Sequence, residues 1–256
     1  MSAPVFTGSA QATSRAMSSA KSALIFGATG QTGRHLLREL IESPTFTRVC
    51  EVGRRVTPTE DLPAQASGKV EQKVIDFERL EEAGLKEGQW DVIFIAMGTT
   101  AKSAGSQENF TKIDKEYVVN AAKAAKADKD QRLIYVSVST ANPKSSVFYS
   151  RSKALTEQAL ADLGYKDTIV FRPAVLSNTN RQDTRLAENA LLAVTGVLSR
   201  FSSKVQIDVD KLAKSIRIVG EQGTSDLPSG AHAQQTNWGG KNFTMIDNSS
   251  AVALSH

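Results

Sequence analysis

Tyr149 and Lys153 stand four residues apart in the run Tyr-Ser-Arg-Ser-Lys. On a helix, positions i and i+4 share a face, so the phenol and the ammonium lie on the same side. A phenol with a pKa near ~10 is a poor acid or base at neutral pH, and a neighbouring cation favours its ionised form. Such a pair suits proton transfer to a carbonyl oxygen, or from an alcohol, while hydride moves to or from a nicotinamide. Ser137 and Ser139 end the strand ahead of that helix, where a hydroxyl orients a substrate oxygen; Ser139 fits the strand end better. Tyr-x-x-x-Lys also describes a helix face with a packed tyrosine and a solvated lysine. The order of features favours chemistry: a glycine turn first, then the strand-end serine, then the pair.

That turn is Gly27-Ala-Thr-Gly30-Gln-Thr-Gly33, placed after an apolar run and before a helical pattern. One glycine turns out of the strand, a second lets backbone approach a pyrophosphate, and a third lets helix and sheet pack closely. The helix N-terminus adds free N–H groups and a partial positive charge. Gly27, Thr29, Gly30, Gln31, Thr32 and Gly33 are therefore the expected diphosphate contacts. The second strand ends Gly53-Arg54-Arg55 rather than on an acid. Two guanidiniums suit a ribose 2′-phosphate by charge and geometry, which predicts NADP(H) over NAD(H). Glu51, inside that strand, is expected to point away from the ribose. Asp76 and Phe77 end the third strand; the carboxylate suits the adenine amino group, a helix N-cap, or both. Ala96-Met97-Gly98-Thr99 ends the fourth strand, where small residues let backbone pass close to a ribose. Arg172 and Pro173 follow the sixth strand and are expected to close over the nicotinamide end, with Pro173 stiffening the turn.

Alternating elements must hold these residues. Ser22–Phe26, Arg48–Gly53, Lys69–Phe77, Asp91–Ala96, Arg132–Val138 and Thr168–Phe171 read as strands, and Gln31–Glu42, Gln107–Ala127 and Ser146–Leu163 as helices. Strands alternating with helices predict an α/β fold with a doubly wound parallel sheet covered on both faces. No internal linker appears, so residues 22–256 read as one domain, loop-rich from about residue 221.

The 256 residues are 40% hydrophobic and 23% charged, which excludes a disordered or collagen-like chain. One cysteine, Cys50, excludes an internal disulfide, and three scattered histidines offer no metal motif. Cys50 reads as a small buried strand residue and His35 as lying on the solvent face of the first helix. The net charge of +4 is dispersed, without the basic stripe of a nucleic-acid binder. No apolar run reaches the ~18 residues needed to cross a bilayer. Met1–Ser22 is basic, serine-rich and free of acids, the composition of a mitochondrial transit segment or of a plain tail. Leu186–Phe201 reads as a core-packing helix in preference to a lid over an apolar substrate or a surface helix touching lipid or a partner.

Taken together, Gly27-x-x-Gly30-x-x-Gly33, Ser139 and Tyr149-x-x-x-Lys153 resemble the short-chain dehydrogenase/reductase superfamily. Ile25–Gly33, Gly53-Arg-Arg55, Met97–Thr100 and Val170–Leu176 narrow the resemblance to its atypical, NADP-binding subgroup, which includes Tat-interacting-protein-like oxidoreductases and a fungal mitochondrial outer-membrane branch. The resemblance spans about Ser22 to Gly220. It implies a Rossmann-type fold with strand order 3-2-1-4-5-6, NADP(H) in the crevice, and Tyr149 and Lys153 as the catalytic pair. For the fungal branch it implies peripheral attachment to the mitochondrial outer membrane. Asn120, on the long helix, carries no motif that makes it a fourth catalytic member. Two functions fit: an NADP(H)-dependent oxidoreductase acting on a small carbonyl or alcohol, and a non-catalytic NADP(H)-sensing interaction protein.

Overall fold

Strands hydrophobic on both faces must be covered on both, and a parallel sheet flanked by helices achieves this. The structure, a computed structural model, describes residues 20–178, 206–225 and 227–256. Of the N-terminal segment read over Met1–Ser22, residues 1–19 lie outside the described residues, as does 186–201, while Lys21 and Ser22 begin the first strand. Six parallel strands, β1 (Lys21–Phe26), β2 (Phe46–Gly53), β3 (Val70–Val74), β4 (Val92–Ile95), β5 (Arg132–Val136) and β6 (Asp167–Arg172), stand in the order β3-β2-β1-β4-β5-β6. The chain winds outward from β1 to β3 and then crosses back to β4. That reversal leaves a crevice beyond the carboxyl ends of β1 and β4.

Strand alternation sorts the core into two layers. Ala23 and Ile25 face Leu36, Leu37, Leu40 and Ile41 of α1 (Gln31–Glu42) and Leu212, Ile216 and Val219 of α6 (Val209–Gln222). Leu24 and Phe26 face Val118, Ala121, Ala122 and Ala125 of α4 (Tyr117–Ala125) and Leu160 of α5 (Phe148–Ala161). Cys50 is buried as expected. His35 is only half-exposed rather than on an open face, because α6 packs along α1 and brings Asp210 near it.

Two stretches differ from the sequence reading. The predicted single helix over 107–127 is α3 (Gln107–Thr111), a π-helical turn (Lys112–Glu116) and then α4. A short helix, α2 (Ala101–Ala104), precedes it. The stretch read as a loop-rich tail instead completes the sheet. β10 (Lys241–Asp247) pairs in parallel with β6, β9 (Gln234–Trp238) pairs antiparallel with β10, and α7 (Asn248–Leu254) follows. Gly239 and Gly240, at φ 62° and 83°, form the two-residue turn between them, and positive φ at both positions is what that turn demands. β9 escaped detection because Gln-Gln-Thr-Asn is polar on both faces, as an edge strand tolerates. A separate two-stranded sheet joins β7 (Val175–Ser177) to β8 (Gln206–Asp208).

Candidate active site

The first glycine of the turn has φ 85°, and a Cβ there would lie 2.6 Å from the Met97 backbone nitrogen. A Cβ on Gly33 would lie 1.9 Å from the Gly27 carbonyl oxygen. Both positions therefore exclude a side chain by contact with backbone that cannot swing aside. Gly30 caps α1 with no side-chain hydrogen bond, and Arg34 N–H is bonded to the Gly30 carbonyl. The preceding amides, Gln31 to Gly33, thus open the helix without intrahelical acceptors. The Gln31 side chain accepts from Arg34 at 2.9 Å, while Thr29 is exposed and Thr32 buried.

Past the end of β2, Arg54 and Arg55 are exposed and carry no ion pair or hydrogen bond among the described residues. Glu51 is 1% exposed. Its carboxylate accepts from Thr57 N–H and Oγ1 at 2.9 and 2.8 Å and from Gln72 Nε2 at 2.7 Å. Asp76 accepts from Glu78 N–H at 2.9 Å, so it caps a turn ahead of the short 3-10 helix Leu80–Ala83. Phe77 is buried edge-on to Phe26 and 5.3 Å from the Tyr117 ring.

Lys153 is buried. Its ammonium donates to Asp114 Oδ1 at 2.9 Å and to the Tyr135 hydroxyl at 3.1 Å. Asp114, fully buried in the π turn, accepts from Thr99 N–H at 3.3 Å with the same oxygen. Burial alone would lower the lysine pKa. The Tyr135 phenol, the Asp114 carboxylate and Tyr149 overcome that effect and hold the ammonium well above the ordinary lysine range. Burial pushes the Tyr135 phenol up. Gly98 lies directly on the pair: a Cβ there would be 2.7 Å from Asp114 Oδ1 and 3.3 Å from Lys153 Nζ. Tyr149 is half-buried one turn earlier on the same helix face, its ring edge-on to Phe110 at 5.6 Å.

Of the two serines, Ser139 reaches solvent and its N–H donates to the Pro173 carbonyl at 2.9 Å, tying the loops after β5 and β6 together. Ser137 is buried, its hydroxyl without a hydrogen-bond partner among the described residues. Arg172 does not close over the crevice. Its guanidinium is bidentate to buried Glu157, at 3.0 and 2.5 Å, and stacks 4.4 Å from the centre of the Trp238 ring. Strand alternation turns that side chain toward α5 and the β9–β10 hairpin, so it braces the sheet rather than closing over the crevice. Burial raises the Glu157 pKa, and Arg172 opposes the rise.

Asn120 is exposed on α4, whereas Asp114 is the residue that meets Lys153. Sequence reasoning passed over Asp114, yet a signal exists. Phe110, Asp114, Val118, Ala122 and Ala125 follow helical spacing, so an acid stands on the apolar stripe of its helix, where unpaired charge is rarely found.

The NAD(P)H-binding family model matches residues 27–202, the span containing the glycine turn, Asp114 and the Tyr149–Lys153 pair. The chain belongs to this family. It is similar to protein HTATIP2 of Rattus norvegicus, 36% identical over 66% of this chain and 67% of that protein. It is also similar to the mitochondrial protein fmp52 of Aspergillus fumigatus, 32% identical over 81% of this chain and 90% of that protein. Both fall in the subgroup its motifs resemble. Its fold is similar to the UDP-N-acetylglucosamine 4-epimerase of Methanobrevibacter ruminantium in complex with UDP-N-acetylmuramic acid, with TM-score 0.58 and 16% identity over 79% of this chain and 74% of that one. Family membership and strand order together make the crevice beyond β1 and β4 the candidate dinucleotide site.

Proposed function

We propose that the chain is an NADP(H)-dependent oxidoreductase that acts on a small carbonyl or alcohol. One observation carries this reading. The loop Ala96–Thr99 touches Gly27 at one end and the Asp114–Lys153 pair at the other, so the glycine cradle and the candidate acid/base residues share one crevice. The bare amides of residues 31–33 hold the diphosphate, Arg54 and Arg55 meet the 2′-phosphate, and Asp76 and Phe77 border the adenine. The small residues Ala96, Gly98 and Thr99 allow close approach of the ribose on the nicotinamide side. Lys153 keeps one N–H for a ribose hydroxyl, because its other two are engaged. Tyr149 gives a proton to the substrate oxygen or takes one from it, and Ser139 orients that oxygen. The nicotinamide, when bound, supplies or accepts the hydride.

Calorimetric titration tests this. NADPH should bind at least tenfold more tightly than NADH, and Arg54→Ser/Arg55→Ser should weaken NADPH about 10²- to 10⁴-fold while leaving NADH unchanged, since charge-assisted bonds contribute about 1.5–3 kcal/mol each. Equal affinity for both coenzymes overturns the arginine argument, and binding of neither overturns the whole reading. Gly33→Ala should abolish binding of both, because its Cβ has no room beside the Gly27 carbonyl.

A second reading, NADP(H) sensing without turnover, is favoured by the ion pair that balances the Lys153 charge. The acid-free stretch Met1–Ser22 and the word mitochondrial in the relative's name support a peripheral site at mitochondria, with the cytoplasm as second choice. No helix among the described residues is long and apolar enough to cross a membrane.

A further inference from the structure

The geometry points to Glu51 as a positioning residue that sets the preference for a 2′-phosphorylated coenzyme by holding the Arg54–Arg55 turn, without touching the coenzyme itself. The inference rests on the role given above to the two arginines. Glu51 lies between Cys50 and Val52 on a buried strand, and no cation among the described residues pairs with it. Its carboxylate takes two bonds from Thr57 and one from Gln72, and Gln72 Nε2 also donates to the Thr57 carbonyl at 2.7 Å. Thr57 is thereby fixed to both β2 and β3. At the other end of the turn, the Gly53 carbonyl accepts from Ile75 N–H at 2.9 Å, and a Cβ on Gly53 would stand 2.8 Å from the Arg55 carbonyl oxygen. The chain is pinned at 53 and 57 and folded back on itself between them. Two exposed guanidiniums project from that closed turn.

A short turn fixed at both ends loses little further freedom when its arginines meet a ligand, so ligand binding there is less opposed by ordering. The chemistry of the clamp also requires an acid. A carboxylate presents acceptors only, and here it meets three donors. A glutamine at 51 brings an amino group that faces either the Thr57 N–H or the Gln72 amide nitrogen. Turning Gln72 over relieves the second clash but sets its oxygen against the Thr57 carbonyl. No orientation of the two amides satisfies all four bonds.

An acid at the end of the second strand in an NAD-binding crevice ordinarily reads the ribose 2′-hydroxyl. The two roles predict opposite outcomes. With NADPH and NADH titrated separately by calorimetry, Glu51→Gln should weaken NADPH about tenfold and change NADH less than twofold. Gln72→Ala and Thr57→Ala, which loosen the same clamp and leave the acid in place, should act in the same direction more weakly. They carry the test if Glu51→Gln melts too low to titrate. Loss of NADH affinity with NADPH spared assigns Glu51 to the ribose and overturns the inference. Equal weakening of both coenzymes, or no change in either, overturns it too. Arg54→Ser/Arg55→Ser separates the two levels of the argument. If that variant keeps the wild-type preference, the arginine reading fails and this one with it. If it loses the preference while the clamp variants keep theirs, this inference alone fails.

Discussion

Tyr149→Phe is expected to lower NADPH-dependent reduction of a carbonyl substrate by about 10²–10⁴-fold, the range that a positioned acid/base contributes. The change removes only the hydroxyl. The ring stays and keeps its edge-on packing against Phe110 at 5.6 Å, so neither the fold nor the coenzyme site is disturbed. NADPH affinity by calorimetry should therefore stay within about twofold of wild type. The measurement is steady-state consumption of NADPH over a panel of small aldehydes and ketones. Turnover within a few-fold of wild type removes Tyr149 from the chemistry. If the intact protein binds NADPH but turns over none of the panel, the sensing reading is supported.

The second large effect concerns stability. Lys153→Met leaves the Asp114 carboxylate buried without its cation, and breaking a buried ion pair from one side costs about 3–5 kcal/mol. In a domain of this size that is a fall of about 10 °C in melting temperature. The double variant Lys153→Met/Asp114→Leu should recover most of the loss, because both charges are gone. Thermal melts of the wild type, the two single variants and the double variant form the cycle, and a Lys153→Met protein as stable as wild type would falsify it. The pH sign follows from the raised lysine pKa. The lysine's contribution is complete below the ordinary lysine value of 10.5 and is lost as the pH climbs beyond it.

What the sequence disclosed depended on the physics of each signal. The six core strands were legible because apolar runs between glycine and proline breaks have few other uses, and the helix pattern after Gly33 fixed how they wind. The glycine turn was legible because close backbone approach selects glycine over every other residue. β9 was not, since an edge strand made of Gln, Thr and Asn has no buried face to declare. Arg172 misled because its position at a strand end suggested the crevice. Its partner, Glu157, lies fifteen residues away on another element, and that pairing is invisible without the fold. Asp114 was hidden for a related reason. Its place was marked by spacing, but the lysine it serves is thirty-nine residues distant, brought close only by the π turn and the packing of α5.

The pairing of β10 with β6 has a temporal side. Ile169 lies opposite Thr244, so about 75 residues must be synthesised after β6 before its outer neighbour exists. At about 5–20 residues per second, the ribosome takes roughly 4–15 s to supply them. For those seconds the nascent sheet presents an open border of unsatisfied amides and carbonyls, a template for other chains. The interval between the end of β6 and the arrival of β10 is thus a window open to misassembly.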